Sequence, residues 1–165
     1  MQKQVNQQNN RNQSVQFGRA LLTGFIGGVF WSAVGMLMYY FNFIEIPVKS
    51  LVLTFWIKAS WAQSWIGNVV SIFLIGLLSI VVAIIYYGLF KKRNSMWVGF
   101  WFGIVLWFIV FYFFNSFMDN VPSLSNLKNE TIVSTLSLYS LYGLFVGYSI
   151  SFDYNDNRVA VRQEE

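Results

Sequence analysis

The chain has 165 residues, of which 56% are hydrophobic and 11% charged, and its net charge is +4. Soluble domains usually contain about 25% charged residues, so this composition argues against a soluble globular protein. The sequence contains no cysteine and no histidine. Disulfides and thiol chemistry are therefore excluded, and the commonest general base and metal ligand is missing.

Four long runs contain no Asp, Glu, Lys or Arg: residues 20–44, 59–90, 94–118 and 131–152. A helix needs about 20 residues to cross the roughly 30 Å hydrocarbon core of a bilayer. A helix is required because lipid cannot satisfy free backbone N–H and C=O groups. The sequence therefore predicts an all-α membrane protein, a four-helix transmembrane bundle with spans near residues 20–43, 66–90, 96–117 and 132–151.

The two ends of the chain are polar. Residues 1–16 are rich in Gln and Asn, which predicts a disordered cytoplasmic tail, and the apolar run that follows is too long for a signal peptide. Residues 153–165 carry alternating charges, which predicts a solvated cytoplasmic tail. Between these tails, residues 17–152 form the predicted transmembrane domain.

The distribution of Lys and Arg predicts the orientation of the chain. Eight basic residues would lie on one side of the membrane: Lys3, Arg11, Arg19, Lys91, Lys92, Arg93, Arg158 and Arg162. Three would lie on the other: Lys49, Lys58 and Lys128. Because cytoplasmic loops carry an excess of Lys and Arg, both termini and the turn at residues 91–93 are predicted to be cytoplasmic. This turn would join spans two and three as antiparallel neighbours.

The segment 46–63 has two interpretations. Pro47 should separate it from span one, and its two lysines make a full crossing unfavourable. Four apolar residues nevertheless recur every four positions, as on one face of a helix: Leu53, Ile57, Trp61 and Trp65. The segment is either a helix lying in the outer interface, with its Trp rings among the headgroups, or an early and tilted start of span two.

Glycine pairs spaced four residues apart occur in three of the spans: Gly24 and Gly28, Gly99 and Gly103, Gly143 and Gly147. Both members of a pair share a helix face and allow a second backbone to approach. In the predicted topology all three pairs lie in the inner half of the membrane, so spans one, three and four are expected to pack most tightly there. Span two offers a looser small face: Gly76, Ser79 and Ala83. Glycine is also common in membrane helices generally, and in either case the pairs predict packing rather than chemistry.

Ionisable residues are confined to the ends of the spans. Glu45 and Lys49 are expected at headgroup level. Asp119 and Lys128 fall in the outer loop, where separate solvation is favoured over an ion pair between them. Because the membrane interior holds no acid, base or metal ligand, we expect no enzymatic activity, metal or cofactor.

Two classes of function fit the sequence. A non-enzymatic scaffold, assembly factor or accessory subunit fits the compact spans and their packing motifs. A small transporter or channel subunit is the alternative, since a homo-oligomer could line a pore with hydroxyl groups: Ser71, Ser79, Thr135 and Ser137. The expected partners are the lipid bilayer and either further copies of the chain or other membrane proteins. Nucleic acid is not expected, because the basic residues flank the spans, where they meet anionic headgroups.

Three stretches together resemble one family of small bacterial membrane proteins. They are Phe17–Gly28, the Trp-rich Phe55–Trp61 segment, and the basic turn followed by Trp97–Gly103. Over about Phe17 to Tyr154 the chain is similar to the YqhR-type family. The resemblance implies a bacterial plasma-membrane location. It supplies no activity and no functional residues, because the family has no established ones.

Overall fold

The computed structural model describes the backbone of residues 2–53, 57, 60–91, 93, 95–114 and 126–163. It describes the side chains of residues 14–53, 57, 61–91, 93, 95–112 and 126–155. Some predictions lie outside the described residues. They are those made for Lys58, Lys92, Asp119 and the end of span three at residues 115–117.

The described residues form five α-helices: α1 Gln2–Tyr40, α2 Val48–Val52, α3 Trp65–Phe90, α4 Met96–Phe108 and α5 Asn129–Gln163. A 3-10 helix, Ser60–Gln63, precedes α3, and a π-helical segment, Ile109–Phe114, continues α4. Three described stretches are long and apolar enough to cross a membrane: Ser14–Tyr40, Trp65–Phe90 and Asn129–Asn155. Met96–Tyr112 is a shorter apolar helix. The all-helical prediction is confirmed for the part of the chain that the structure describes.

Helix α1 includes the residues for which the sequence predicts a disordered tail. Its backbone is helical from Gln2 onward, so the structure differs from that expectation. The costly step in helix formation is nucleation, and the apolar span supplies a nucleus from which the helix continues through the Gln-rich residues. Helix α5 likewise continues to Gln163, through the residues expected to form the second tail.

Asn42 sets the end of α1. Asn42 has a φ of 61°, and its N–H donates to the carbonyl of Tyr39 at 3.0 Å. The N–H of Phe43 donates to the carbonyl of Met38 at 2.9 Å. These two bonds form a Schellman motif, and Asn is one of the few residues that accept its left-handed conformation.

Segment 46–63 is described in part, at residues 46–53, 57 and 60–63. It contains the short α2 and the 3-10 helix, and α3 begins at Trp65 after the N-cap residue Ser64. Leu53 is fully buried, whereas Trp61 and Trp65 are exposed. The single helix face expected from the four-residue spacing is therefore not formed.

The helices pack as two close pairs, α1 with α3 and α4 with α5, and α5 also contacts α1 and α3. Helices α3 and α4 are joined by the turn around Lys91 and meet through aromatic rings near it. The ring centroid of Phe102 on α4 lies 5.0 Å from that of Tyr86 and 6.1 Å from that of Phe90. Farther from the turn, α3 and α4 make little direct contact.

Buried apolar side chains form two clusters in the described residues. The first lies toward the basic turn and contains Ala20, Ala83, Tyr86, Tyr142, Val146 and Ile150. The second lies toward the opposite end and contains Ile44, Ile46, Trp107, Phe111 and Leu127. The chain after α1 thus folds back onto the bundle and buries two of its isoleucines there.

Candidate functional site

The first close contact between helices joins α1 to α3 at Gly24 and Gly28. A Cβ atom on Gly24 would lie 2.5 Å from the Cβ of Ala83, and one on Gly28 would lie 2.9 Å from the Cα of Gly76. Side-chain atoms are not tolerated at such distances, so these positions require glycine. The sequence predicts that span one packs most tightly with spans three and four at the depth of this pair. The pair faces α3 instead, because the small residues of α3 provide the matching surface.

The second close contact joins α4 to α5 through the other two glycine pairs. A Cβ atom on Gly143 would lie 2.5 Å from the Cα of Gly103, and one on Gly147 would lie 2.6 Å from the Cα of Gly99. The two backbones therefore touch directly. Here spans three and four meet through the glycines, as the spacing in the sequence suggests.

Ser79 links three helices through hydrogen bonds. Its hydroxyl donates to the carbonyl oxygen of Gly24 on α1 at 2.6 Å, and it also hydrogen-bonds the Tyr142 hydroxyl of α5. Because the Ser79 proton is used toward Gly24, Tyr142 is the donor in the second bond. The sequence marked Ser79 as a small residue and a pore-lining candidate. Nothing in it marked Tyr142, since the two residues are far apart in the chain.

A second polar link joins α4 to α5. The indole N–H of Trp107 donates to the Thr135 hydroxyl at 3.0 Å, and that hydroxyl donates to the carbonyl of Thr131 at 2.7 Å. Ser71 and Ser137 donate to carbonyls of their own helices, four residues earlier. The hydroxyls of Thr135, Ser71 and Ser137 thus donate to protein acceptors.

Glu45 pairs with Lys128 at the end of the bundle opposite the basic turn. Lys128 Nζ lies 2.7 Å from Glu45 Oε1, and the backbone N–H of Glu45 donates to Thr131 Oγ1 at 3.2 Å. The hydrogen bond from Lys128 lowers the pKa of Glu45, and the same bond raises the pKa of Lys128. The sequence predicts a headgroup-level Glu45 and a solvated Lys128, because a pair separated by 83 residues gives no local signal.

The other end of the bundle carries a cluster of basic and aromatic side chains. Arg19 on α1 forms an ion pair with Asp153 on α5 at 2.6 Å. Lys91 Nζ lies 4.3 Å from the ring centroid of Tyr87 and 5.5 Å from that of Tyr154, within the range of cation–π attraction. The cluster connects α1, α3 and α5. Arg93, the other described residue of the basic turn, is exposed.

A cavity of about 210 Å³ lies between the two core clusters. Its walls come from α1, α2, α3, α4 with its π-helical continuation, and α5, and they are almost entirely apolar. Trp31 lines it, and the indole nitrogen of Trp31 is buried without a hydrogen-bond partner among the described residues. Sequence reasoning missed this cavity because its lining is assembled from separate segments. No group of three or more His, Cys, Asp or Glu residues within the described ranges is placed to hold a metal ion.

Comparison with known proteins identifies the family. A family model described as "Conserved membrane protein YqhR" matches residues 1–165. The chain is also 45% identical over 139 residues to a Bacillus subtilis (strain 168) protein described as "Uncharacterized protein YqhR", with 84% of this chain and 78% of that protein covered. No solved structure matches the chain. The chain therefore belongs to the YqhR family of conserved membrane proteins.

Proposed function

We propose that this chain is a four-span protein of the bacterial plasma membrane that acts without catalysis, as a scaffold, assembly factor or accessory subunit for other membrane proteins. Four spans require α4 to cross the membrane with its π-helical continuation. The α-helical part, Met96–Phe108, contains 13 residues. The π-helical part, Ile109–Phe114, contains 6. At 1.5 Å per residue they extend about 28 Å, close to the thickness of the hydrocarbon core.

The ends of the bundle support an orientation with both termini in the cytoplasm. Arg19, Lys91 and Arg93 belong to one end, and the sequence adds Lys3, Arg11, Lys92, Arg158 and Arg162 to the segments that leave it. The opposite end has Glu45 paired with Lys128. The excess of positive charge at the first end supports a cytoplasmic location for it, by the positive-inside rule.

The hydrogen bonds of Ser79 are the observation that carries the structural role. Its hydroxyl joins α1, α3 and α5 beside the close contact between α1 and α3. Ser71 is fully buried, whereas Ser137 faces outward, so these candidate pore-lining hydroxyls do not share one surface. Polar groups that hold helices together favour a packed structural protein over a water-filled path.

A thiol scan tests the proposal against the transport alternative. Because the natural chain contains no cysteine, single cysteines can be introduced without background through residues 68–86 of α3 and 132–150 of α5. We expect both series to resist a water-soluble maleimide, while the exposed Ser95→Cys variant reacts. Labelling that recurs every three to four residues along either helix would support a water-filled pathway and contradict the proposal.

Photo-cross-linking tests the scaffold role directly. A benzoylphenylalanine would replace one exposed residue on each long apolar helix in turn, at Phe30, Phe73, Trp101 and Leu141. We expect at least one position to give a discrete protein adduct in intact cells. The same probe at the buried Val146 serves as the control that should give none. Lipid adducts alone at all four exposed positions would contradict a scaffold or accessory role.

A further inference from the structure

The interior cavity reaches from the middle of the bundle toward the end that carries α2. On α1 it is lined by Gly28 and Gly35, which lie nine and sixteen residues beyond Arg19, or about 14 and 24 Å along the helix. Ile46 and Val48 close it at the α2 end. Measured along α1, the cavity thus lies at the depth of the hydrocarbon chains of one bilayer leaflet.

The mouth of the cavity faces lipid beside Leu78. This side chain lines the cavity and is also 54% exposed on the outer surface of α3. Leu106 and Val110, on α4 and its π-helical continuation, also line the cavity. Since α3 and α4 meet mainly near the basic turn, the space between them opens sideways into the hydrocarbon of the membrane.

Three hydroxyl groups on the cavity wall already have protein partners. Ser32 donates to the carbonyl of Val29, Ser79 donates to that of Gly24, and Thr135 donates to that of Thr131. Trp31, whose buried indole N–H has no hydrogen-bond partner among the described residues, also lines the cavity. Because the walls are otherwise mostly apolar, the cavity favours a ligand that is mainly hydrocarbon.

The rim at the α2 end carries a cation at headgroup level. Lys49 follows the lining residue Val48, and its ammonium donates to the carbonyl of Gln63 at 2.7 Å. An ammonium group has three donor hydrogens, so this bond leaves two for a phosphate oxygen. The Lys49 ammonium matches the negatively charged phosphate of an anionic phospholipid, and the apolar cavity matches its hydrocarbon chain.

We propose that the cavity binds one acyl chain of an anionic phospholipid, which enters beside Leu78 from the leaflet at the α2 end while its phosphate stays near Lys49. The volume is adequate: an engineered apolar cavity of about 150 Å³ binds benzene, and the present one is about 210 Å³. It therefore accommodates a chain segment of about six carbons or more. This inference is independent of the proposed scaffold role.

A cavity-filling variant tests the proposal. Gly35→Leu has room for its first carbon, because a Cβ atom there would lie 3.5 Å from Leu138 and 3.6 Å from Val48, and its remaining carbons would enter the cavity. Gly88→Leu is the matched control, since nothing lies within 4 Å of a Cβ atom at that exposed position. Native mass spectrometry would count the phosphatidylglycerol molecules that stay bound after detergent exchange. We expect one on the wild type and on Gly88→Leu, and at least a tenfold lower occupancy on Gly35→Leu.

Retention by folded Gly35→Leu equal to that of the wild type would overturn the proposal, as would a wild type that retains no lipid. A second measurement uses the wild type alone and so does not depend on the variant folding. Phosphatidylglycerol with a diazirine near the end of one acyl chain would be photolysed in nanodiscs and its adducts mapped by mass spectrometry. We expect adducts on Trp31 and Tyr142, inside the cavity. Adducts confined to outward-facing residues such as Phe73 and Trp101 would overturn the proposal.

Discussion

Gly103 on α4 and Gly143 on α5 are in direct backbone contact: a Cβ atom on Gly143 would lie 2.5 Å from both the Cα and the nitrogen of Gly103. Backbone atoms cannot move aside as a flexible side chain can. Lipid tails provide no hydrophobic drive for helix association, so van der Waals contact of this kind stabilises the pair. The glycine contacts are therefore expected to dominate the stability of the bundle.

Gly143→Ala should destabilise the protein although it adds a single methyl group. The helices must separate to admit it, and overpacking of this kind costs about 1–3 kcal/mol. For a chain of this size we expect the melting temperature in detergent to fall by about 2–10 °C. Gly88→Ala is the control, because its Cβ atom would meet nothing within 4 Å. Equal melting temperatures for the two variants would show that the glycine contacts do not stabilise the bundle.

Ser79→Ala and Tyr142→Phe should each destabilise the protein, and their effects should not add. Each change removes the shared bond between the two hydroxyls, and Ser79→Ala also removes the bond to Gly24. Interhelical hydrogen bonds in membranes contribute about 0.6 kcal/mol on average and up to about 2. In thermal or denaturant unfolding, the double variant should lose less free energy of unfolding than the sum of the two single variants. Full additivity would mean that the hydroxyls do not interact.

The ion pair between Glu45 and Lys128 should make stability depend on pH at both extremes. Lys128 lowers the pKa of Glu45 below its ordinary value of 4.5. The stabilisation is therefore present above pH 4.5 and is lost as pH falls through the lowered pKa of Glu45. Glu45 raises the pKa of Lys128 above its ordinary value of 10.5. The stabilisation from protonated Lys128 is complete below pH 10.5 and is lost as pH rises through the raised pKa of Lys128.

The measurement is the melting temperature of the wild type and of Glu45→Gln between pH 3 and pH 7. The wild type should have the higher melting temperature at pH 7. The difference in melting temperature between the two proteins should shrink toward pH 3. Because both side chains reach solvent, the difference should also shrink in about 1 M salt, where charges are screened within about 3 Å. A difference that stays constant with pH would mean that Glu45 acts through packing rather than charge.

The sequence predicts where the helices lie better than it predicts which helices pack against one another. Runs without charge locate the apolar helices because burying an ionised side chain in hydrocarbon is costly. Glycine spacing identifies a close-packing face, but it does not specify the helix that meets it. The glycine pairs predict tight packing among spans one, three and four, whereas Gly24 and Gly28 lie against Ala83 and Gly76 of α3.

Other features depend on contacts that no local pattern encodes. The sequence predicts that span one ends near Phe43, but it does not show the Schellman motif at Asn42 that ends α1 at Tyr40. The ion pair of Glu45 with Lys128 depends on the chain folding back after α1. The cavity depends on a gap between two helices that touch mainly near their connecting turn. Such features depend on tertiary packing, which a single sequence does not display.

Two-sided thiol labelling tests the four-span account most directly, because Ser95 and Asn129 flank α4, the shorter apolar helix. Both residues are exposed, and the natural chain has no cysteine. We predict that a membrane-impermeant maleimide labels Asn129→Cys in intact cells and labels Ser95→Cys only after the membrane is permeabilised. Labelling of both variants from the same side would contradict the account, because α4 would then not cross the membrane.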